Sequence, residues 1–403
     1  MEVEKSEVKN KTVGEYMKLG IICTMINGFG RRGYYNTQEI GLGRELERQG
    51  HEVTIYKCVK KTGGESIERV KLGNTLSILY IPVSSFGAHG CLDTAVLSTN
   101  LDAVLCFADN QIFLPHIYRF CARHEIRMVP YIGRTHSSSG GVHGFAMNTL
   151  FHLGTLRWFR RGPAISKIEE VRQELLQLGV KDVKVAPVGL DFSVMKSDFA
   201  AYDRAALRRE FGLLPEDMVI CTVGRMGPEK NPLDLVEIYQ QVREQKPCKL
   251  LLVGEGTQSE DLKTKIAASK WKSDIVLIDR IPNDQIWKVY ATADYFVNLC
   301  RTEIFGMAIL EAMYYGVSVA ALAAPGPSVT LRDMPGHKLC SSYEEIRDWL
   351  LAEHPAQEQL RESAARTVQL YNWKSCADTF LSMAVGGTNE HSGHHNILSS
   401  SRA

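Results

Sequence analysis

The chain has 403 residues, a formal net charge of +1 and 23% charged residues. This length exceeds what one hydrophobic core comfortably serves, and the balanced charge gives no indication of nucleic acid as a partner. Ten cysteines without a C-x-x-C pair or metal-ligand spacing predict a reduced, cytoplasmic protein without a bound metal.

The two ends differ in composition from the rest. Residues 1–17 mix both charges without an apolar centre, so we expect an extension and not a signal peptide, and no run of eighteen apolar residues predicts a membrane span. Residues 386–403 are polar and contain three histidines. A flexible, solvated tail is favoured there over a metal site.

A glycine-rich loop follows the first apolar run, "KLGIICTMI" (Lys18 to Ile26), which reads as a buried strand. Gly28, Gly30 and Gly33 have the G-x-G-x-x-G spacing that lets backbone approach a diphosphate before a helix. A glycine turn that only closes a strand–helix unit is an equal alternative.

The next helix is predicted from Ile40, Leu42 and Leu46, which share one face. The acidic residue that holds a ribose in NAD sites, about 20 residues on, is missing. The second strand offers lysines instead, which would suit the 2′-phosphate of NADP: Lys57, Lys60 and Lys61.

Strands then alternate with helices throughout the chain, which is typical of doubly wound parallel sheets. The alternation restarts after an irregular link, so we predict an α/β fold with two Rossmann-like domains facing across a cleft. The expected units are residues 18–191, residues 192–369 and a last helix at 370–385. The first-half strands are "HEVTIYKC", "LSILYIPV", "LDAVLCFA" and "IRMVPYIGRTH", and the second-half strands are "MVICTVG", "CKLLLVG", "IVLIDRI", "YFVNLC" and "VSVAALAA".

Ligands of such sheets bind where strands end, and the loop "GRMGPEKN" follows one of these strands. Its Arg225 and Lys230 precede a helix, where two cations and backbone N–H groups suit a diphosphate. A solvated charged loop is the alternative.

The segment "CRTEIFGMAILEAM" places Glu303 before a helix that begins near Gly306, and Glu311 in its second turn. Carboxylates there could hold sugar hydroxyls while Phe305 and Gly306 donate N–H groups to an anion. The alternative is that Glu303 stabilises the helix dipole and Glu311 is a surface residue.

A third loop, "DRIPNDQIW", contains Ile281 and Pro282 at a predicted strand end. Their backbone could contact a flat base, and a plain turn is equally compatible.

Taken together, "GRMGPEKN", "VGEGTQSEDL", "IPNDQIWKVYATADYF" and "EIFGMAILEAM" resemble the donor half of retaining GT-B glycosyltransferases of family 4. The E-x7-E element from Glu303 to Glu311 is the most specific piece. The resemblance extends from about Lys18 to Val385, where "QLYNWKSCADTFLSMAV" is similar to the helix that returns to the first domain.

The resemblance implies a metal-independent, cofactor-free transfer of a sugar from a nucleotide diphosphate, with a UDP-sugar favoured, to a glycan, lipid-linked or protein acceptor. Arg225 and Lys230 would neutralise the diphosphate, Glu303 and His136 would contact the sugar, and Glu311 would hold the ribose. The implied catalytic residues are His136, Glu303, Arg225 and Lys230. The implied donor-binding residues are Gly28, Gly30, Gly224, Arg225, Lys230, Ile281, Glu303, Phe305, Gly306 and Glu311.

Three positions depart from the family pattern. Leu299 and Cys300 stand where Pro-Ser is frequent, and Ser137 stands where an Asp often follows the histidine. These departures weaken the inference about sugar identity.

The segment "GFAMNTLFHLGTLRWFRRGP" combines apolar residues with Arg157, Arg160 and Arg161. It is compatible with an interfacial helix on anionic lipid at the inner face of the membrane, while an ordinary helix packed on the first sheet is favoured. Two other functions remain open, an NADP-dependent oxidoreductase and a non-catalytic nucleotide-sugar-binding subunit.

Overall fold

The structure is a computed structural model that describes residues 12, 14–26, 37–137, 141–196, 202–352 and 354–385. Within these residues two large sheets account for the predicted alternation of strands and helices. A short hairpin of β5 (Ser85–Phe86) and β6 (His89–Gly90) forms a separate two-stranded sheet.

The first sheet has eight described strands in the spatial order β10-β9-β8-β7-β1-β2-β4-β3. Seven run parallel, and β3 pairs antiparallel with β4 at one edge, which the sequence analysis did not predict. The strands are β1 (Lys18–Cys23), β2 (Glu52–Lys60), β3 (Glu68–Lys71), β4 (Leu76–Val83), β7 (Ala103–Phe107), β8 (Arg127–Ile132), β9 (Ala164–Ser166) and β10 (Val183–Val185).

The second sheet has six described strands, all parallel, in the order β13-β12-β11-β14-β15-β16. They are β11 (Val219–Val223), β12 (Lys249–Val253), β13 (Ile275–Ile278), β14 (Tyr295–Asn298), β15 (Ser318–Leu322) and β16 (Lys338–Cys340). The order reverses between β11 and β14, so the loops after these two strands diverge and leave space for a ligand.

Helices cover both sheets. They are α1 (Gln38–Arg48), α2 (Leu114–Arg123), α3 (Gly141–Leu150), α4 (Leu156–Phe159), α5 (Glu169–Gln177), α6 (Arg204–Glu210), α7 (Pro232–Arg243), α8 (Ser259–Ala268), α9 (Trp287–Thr292), α10 (Met307–Tyr314), α11 (Pro325–Thr330), α12 (Tyr343–Leu351), α13 (Gln357–Leu370) and α14 (Trp373–Ala384). A π-helical turn, Phe151–Thr155, joins α3 to α4. None of the helices in the described ranges combines the length and apolarity needed to cross a membrane.

The central strands are apolar on both faces because helices cover both sides of each parallel sheet. In β1 the residues Leu19, Ile21 and Ile22 are all fully buried, and Leu42 and Leu46 of α1 pack in the same core. The predicted buried strand is therefore confirmed, although it ends at Cys23 instead of Ile26. The predicted helix is confirmed as well, but of its expected face only Leu42 and Leu46 are fully buried, and Ile40 is half-buried.

The C-terminal helix α14 packs against the first sheet and not the second. Its neighbours are α1, β8 and β7, and Gln49 of the first half donates a 2.9 Å hydrogen bond to Asp378. At the start of this return, Leu190 and Asn372 form an isolated parallel bridge. The chain thus crosses between the two sheets twice, near Leu190 and near Asn372.

Candidate functional site

The loops after β11 and β14 meet at the carboxyl edge of the second sheet. The first carries Lys230 and the second carries Glu303, and their side chains form an ion pair. Asn298, the last residue of β14, donates a 3.3 Å hydrogen bond to the same carboxylate oxygen. The topology therefore brings a cation and an anion from separate loops to one point.

The ion pair lies at the carboxyl edge of the sheet and is partly buried, with side-chain exposures of 31% for Lys230 and 17% for Glu303. Burial alone lowers the pKa of Lys230, but the carboxylate of Glu303 raises it, and the net pKa lies above its usual value. Lys230 is thus held protonated, opposite the carboxylate of Glu303.

Arg225 is more exposed than Lys230. Its guanidinium forms 2.7 and 3.0 Å hydrogen bonds to Glu229 in the same loop, and 57% of its side chain is exposed. Gly224, directly before it, lies in close contact with the loop after β12, since a Cβ on Gly254 would overlap the carbonyl oxygen of Gly224. Both predicted cations therefore follow β11, but in the structure each is paired with a glutamate.

Helix α10 begins where the sequence predicts. Gly306 is its N-cap and has φ +86°, a left-handed conformation that favours glycine. Phe305 is buried and packs edge-on against Tyr371, with ring centroids 5.8 Å apart. The first turn of α10 is thereby fixed beside Glu303, with its N–H groups at the edge of the sheet.

Glu311 is 7% exposed, so the alternative that it is a surface residue is wrong. The hydroxyl of Tyr290 donates a 2.7 Å hydrogen bond to its carboxylate. Burial, followed by the charge of Glu311, raises the pKa of Tyr290 well above its usual value, so the phenol remains a donor. Sequence reasoning missed Tyr290, which is 21 residues away and has no spacing that links it to Glu311.

The first sheet contributes a loop after β8 that contacts this edge. Nη2 of Arg134 donates a 3.3 Å hydrogen bond to the backbone oxygen of Thr302, next to Glu303. His136, two residues on, is exposed. The loop with the predicted histidine therefore lies across from the loop with the predicted glutamate.

The sequence analysis also missed a partly buried ion pair beneath this loop. Nζ of Lys167 lies 2.9 Å from Asp109, and the same aspartate accepts the backbone N–H of Gly133. Both side chains follow strands, β7 and β9, and that position is the signal that could have identified them. The pair fixes the backbone that leads to Arg134 and His136.

Two further predictions concern the glycine-rich loop and Ile281. Gly28 and Gly30 lie outside the described residues, as does Gly33. Ile281 lies in the expected loop, but β13 ends at Ile278, so its description as a strand end is wrong. Among the described residues no group of three or more His, Cys, Asp or Glu could hold a metal ion.

The lysines that suggested NADP are arranged differently from the prediction. Nζ of Lys57 is buried and lies 2.6 Å from Glu39 of α1. A 2′-phosphate would have to displace this carboxylate and enter the core, so only the exposed Lys60 and Lys61 remain for such a ligand.

The segment around α3 and α4 is only partly the packed helix that the sequence analysis favours. Leu156 and Phe159 are buried as expected, but Phe145, Leu150 and Leu153 are exposed. The reason is the π-helical turn, whose wider winding shifts the register so that the two halves of the segment present different faces to the sheet.

Comparison with known proteins identifies a domain in the second half of the chain. Residues 203–366 match the family model of glycosyl transferases group 1. D-inositol 3-phosphate glycosyltransferase of Segniliparus rotundus is 30% identical over 210 residues, which are 49% of this chain and 46% of the relative. The chain spans about half the length of the curated relatives it matches first.

Two solved structures match almost the whole fold. Sucrose-phosphate synthase from Thermosynechococcus elongatus has a TM-score of 0.68 at 15% identity, covering 90% of this chain and 96% of that one. Anabaena HepE, in complex with UDP and glucose, has a TM-score of 0.66 at 14% identity, covering 91% and 98%. The chain therefore carries a glycosyl transferases group 1 domain at residues 203–366, within a fold of the GT-B type.

Proposed function

We propose that the protein is a retaining glycosyltransferase that moves a sugar from a nucleotide diphosphate sugar, with a UDP-sugar favoured, to a glycan, lipid-linked or protein acceptor. The observation that carries the proposal is the ion pair between Lys230 and Glu303 at the edge where β11 and β14 end. It lies inside the segment that matches glycosyl transferases group 1.

The charges at this edge suit the reaction. When a sugar leaves a nucleotide diphosphate, negative charge grows on the phosphate and positive charge grows on the sugar ring. Arg225, Lys230 and the N–H groups that begin α10 would stabilise the first charge, because they are already oriented before reaction. The carboxylate of Glu303, released from Lys230 by the incoming phosphate, would face the sugar.

Glu311 and His136 have proposed roles in the same reaction. Glu311 would hold the ribose, with Tyr290 fixing one carboxylate oxygen. His136 would reach the sugar from the first lobe, because Arg134 keeps its loop against Thr302. Attack on the face from which the phosphate departs would retain the configuration at the anomeric carbon.

The preference for UDP rests on a neighbour. HepE of Anabaena, similar in fold, was solved with UDP and glucose. Because the cations that face the diphosphate come from the chain itself, the reaction is proposed to need neither a metal ion nor a cofactor. The cytoplasm supplies nucleotide sugars, and we place the protein there.

A thermal-shift panel of UDP-, GDP- and ADP-sugars tests the donor. A ligand at a hundred times its dissociation constant stabilises the folded protein by about 2.7 kcal/mol, so the correct base stands out. Glu311→Ala should abolish the largest shift. A panel without any shift, or a shift that Glu311→Ala leaves intact, contradicts the proposal.

Activity and stereochemistry need separate measurements. Donor hydrolysis or transfer should persist in EDTA, and proton NMR of the product should show the anomeric configuration of the donor. Binding without turnover toward any acceptor would instead indicate a non-catalytic nucleotide-sugar-binding subunit. NADPH that shifts the melting temperature more than every nucleotide sugar would indicate an oxidoreductase.

A further inference from the structure

Helix α3 and the π-helical turn after it carry an apolar stripe on their outer side. The stripe consists of Val142, Phe145, Leu150 and Leu153, which are 86%, 75%, 51% and 73% exposed. Spacings of three, five and three residues place these side chains on one side of a helix. Single exposed apolar residues are ordinary, but four on one side of a helix are characteristic of an interaction surface.

The opposite side of the same segment is firmly packed. Met147, Phe151, Leu156 and Phe159 are buried, and Tyr118 of α2 stacks on Trp158 with ring centroids 5.7 Å apart. Since the inner face already fills the core, the segment cannot turn to bury its outer face as well. The apolar stripe is therefore held outward by the fold.

The charge around the stripe has one sign. Residues 141–161, which include the stripe, contain three Arg and no Asp or Glu, in a chain whose net charge is only +1. Arg157, Arg160 and Arg161 follow the stripe and are exposed. Arg161 lies over the ring of Trp158, with its Cζ 4.6 Å from the ring centroid.

From this combination we infer that the outer face of α3 and the π-helical turn docks on a membrane surface that contains anionic phospholipid. The apolar stripe enters the boundary between head groups and acyl chains, while the arginines bind lipid phosphates. A second copy of the chain fits less well, because two faces rich in arginine repel each other. The positive charge of this face therefore favours anionic phospholipid over a second copy of the chain.

Helix α3, which carries this outer face, lies beside the loop that carries His136. The backbone N–H of Ser137 donates a 2.6 Å hydrogen bond to Asn148 of α3, so the helix and the loop with His136 are joined. Docking would place that loop near the membrane surface. The inference needs no catalytic activity, so it stands or falls independently of the proposed function.

Sedimentation of the full chain with phosphatidylcholine vesicles, with and without phosphatidylglycerol, tests the inference. We expect binding only to vesicles with the anionic lipid, and weaker binding as salt screens the charges. The double variant Phe145→Ser/Leu153→Ser should lose about tenfold or more of this binding, since it removes the apolar contacts. Arg157→Ser should weaken binding and flatten its salt dependence.

Matched variants separate this face from general surface properties. Ile67→Ser/Leu214→Ser removes two apolar residues that are 46% and 54% exposed elsewhere, and Arg361→Ser removes a well exposed arginine. Both should bind vesicles like the unaltered chain. Equal losses in these controls, or no binding by the unaltered protein, would overturn the inference.

The other occupants give distinct results. A dimer in light scattering that Phe145→Ser/Leu153→Ser dissociates would assign the face to a second copy. A lower melting temperature of the same variant, without vesicle binding by the unaltered chain, would mean that another segment of the chain covers the stripe. Either outcome rejects membrane docking.

Discussion

Lys230 and Glu303 form an ion pair although 73 residues separate them in the chain. One follows β11 and the other follows β14, which are neighbours in the sheet because the strand order reverses there. The pair places a positive and a negative charge side by side. A bound nucleotide sugar would present a negative phosphate and a sugar ring that becomes positive at this point.

Replacing Lys230 should have a large effect on turnover. We expect Lys230→Ala to lower kcat/KM for the preferred nucleotide sugar by about 10²- to 10³-fold, the usual range for losing one preorganised electrostatic contact. The control is Lys263→Ala, which breaks an exposed pair with Glu260. Initial-rate kinetics give the comparison, and equal rates for the two variants would exclude Lys230 from the site.

The contact between Tyr290 and Glu311 should contribute to stability. Tyr290→Phe removes a hydrogen bond to a buried carboxylate and should cost about 1–3 kcal/mol in the free energy of unfolding. Tyr295→Phe is the matched control, because the buried hydroxyl of Tyr295 has no partner among the described residues. That variant should be neutral or more stable. Urea denaturation measures both, and a neutral Tyr290→Phe would show that the contact contributes little.

Arg134 should matter for catalysis and little for folding. Its single 3.3 Å hydrogen bond to Thr302 is exposed, so Arg134→Ala should change the free energy of unfolding by less than about 1 kcal/mol. Because it positions the loop with His136, we expect kcat/KM to fall about tenfold. Arg127→Ala, at the exposed start of β8, should leave both quantities unchanged. Unaltered kinetics of Arg134→Ala would argue against a role for this contact between the lobes.

His337 should make stability fall in mild acid. Its Nδ1 accepts the backbone N–H of Val319 at 3.0 Å, and burial lowers the pKa of the imidazole to about 4. The unfolded chain binds this proton near pH 6.5, so stability present above that pH is lost as pH falls toward 4. Between pH 7.5 and 5.5 the loss should be about 1 kcal/mol.

The variant His337→Gln isolates this titration. Its unfolding free energy, measured in urea at both pH values, should fall by about 1 kcal/mol less than that of the unaltered chain. Parallel decreases would mean that the imidazole titrates alike in the folded and unfolded states.

The amino-acid sequence alone predicts the local elements and the class of fold. Leu19, Ile21 and Ile22 form an apolar run that only a covered strand can bury, and the two-sheet α/β architecture follows from the repeated alternation. The sequence also predicts the helix start at Gly306 and the cationic loop "GRMGPEKN", because helix starts and strand-end loops have local residue preferences.

Which of these groups come into contact depends on the packing of the whole chain. The pairing of Lys230 with Glu303, the contact of Tyr290 with Glu311 and the bond from Arg134 to Thr302 depend on strand order and on the packing of the two lobes. The exposure of Phe145 and Leu153 likewise depends on a π-helical turn that hydrophobic periodicity does not reveal. Such contacts join residues distant in the chain, and no local preference encodes their distance in space.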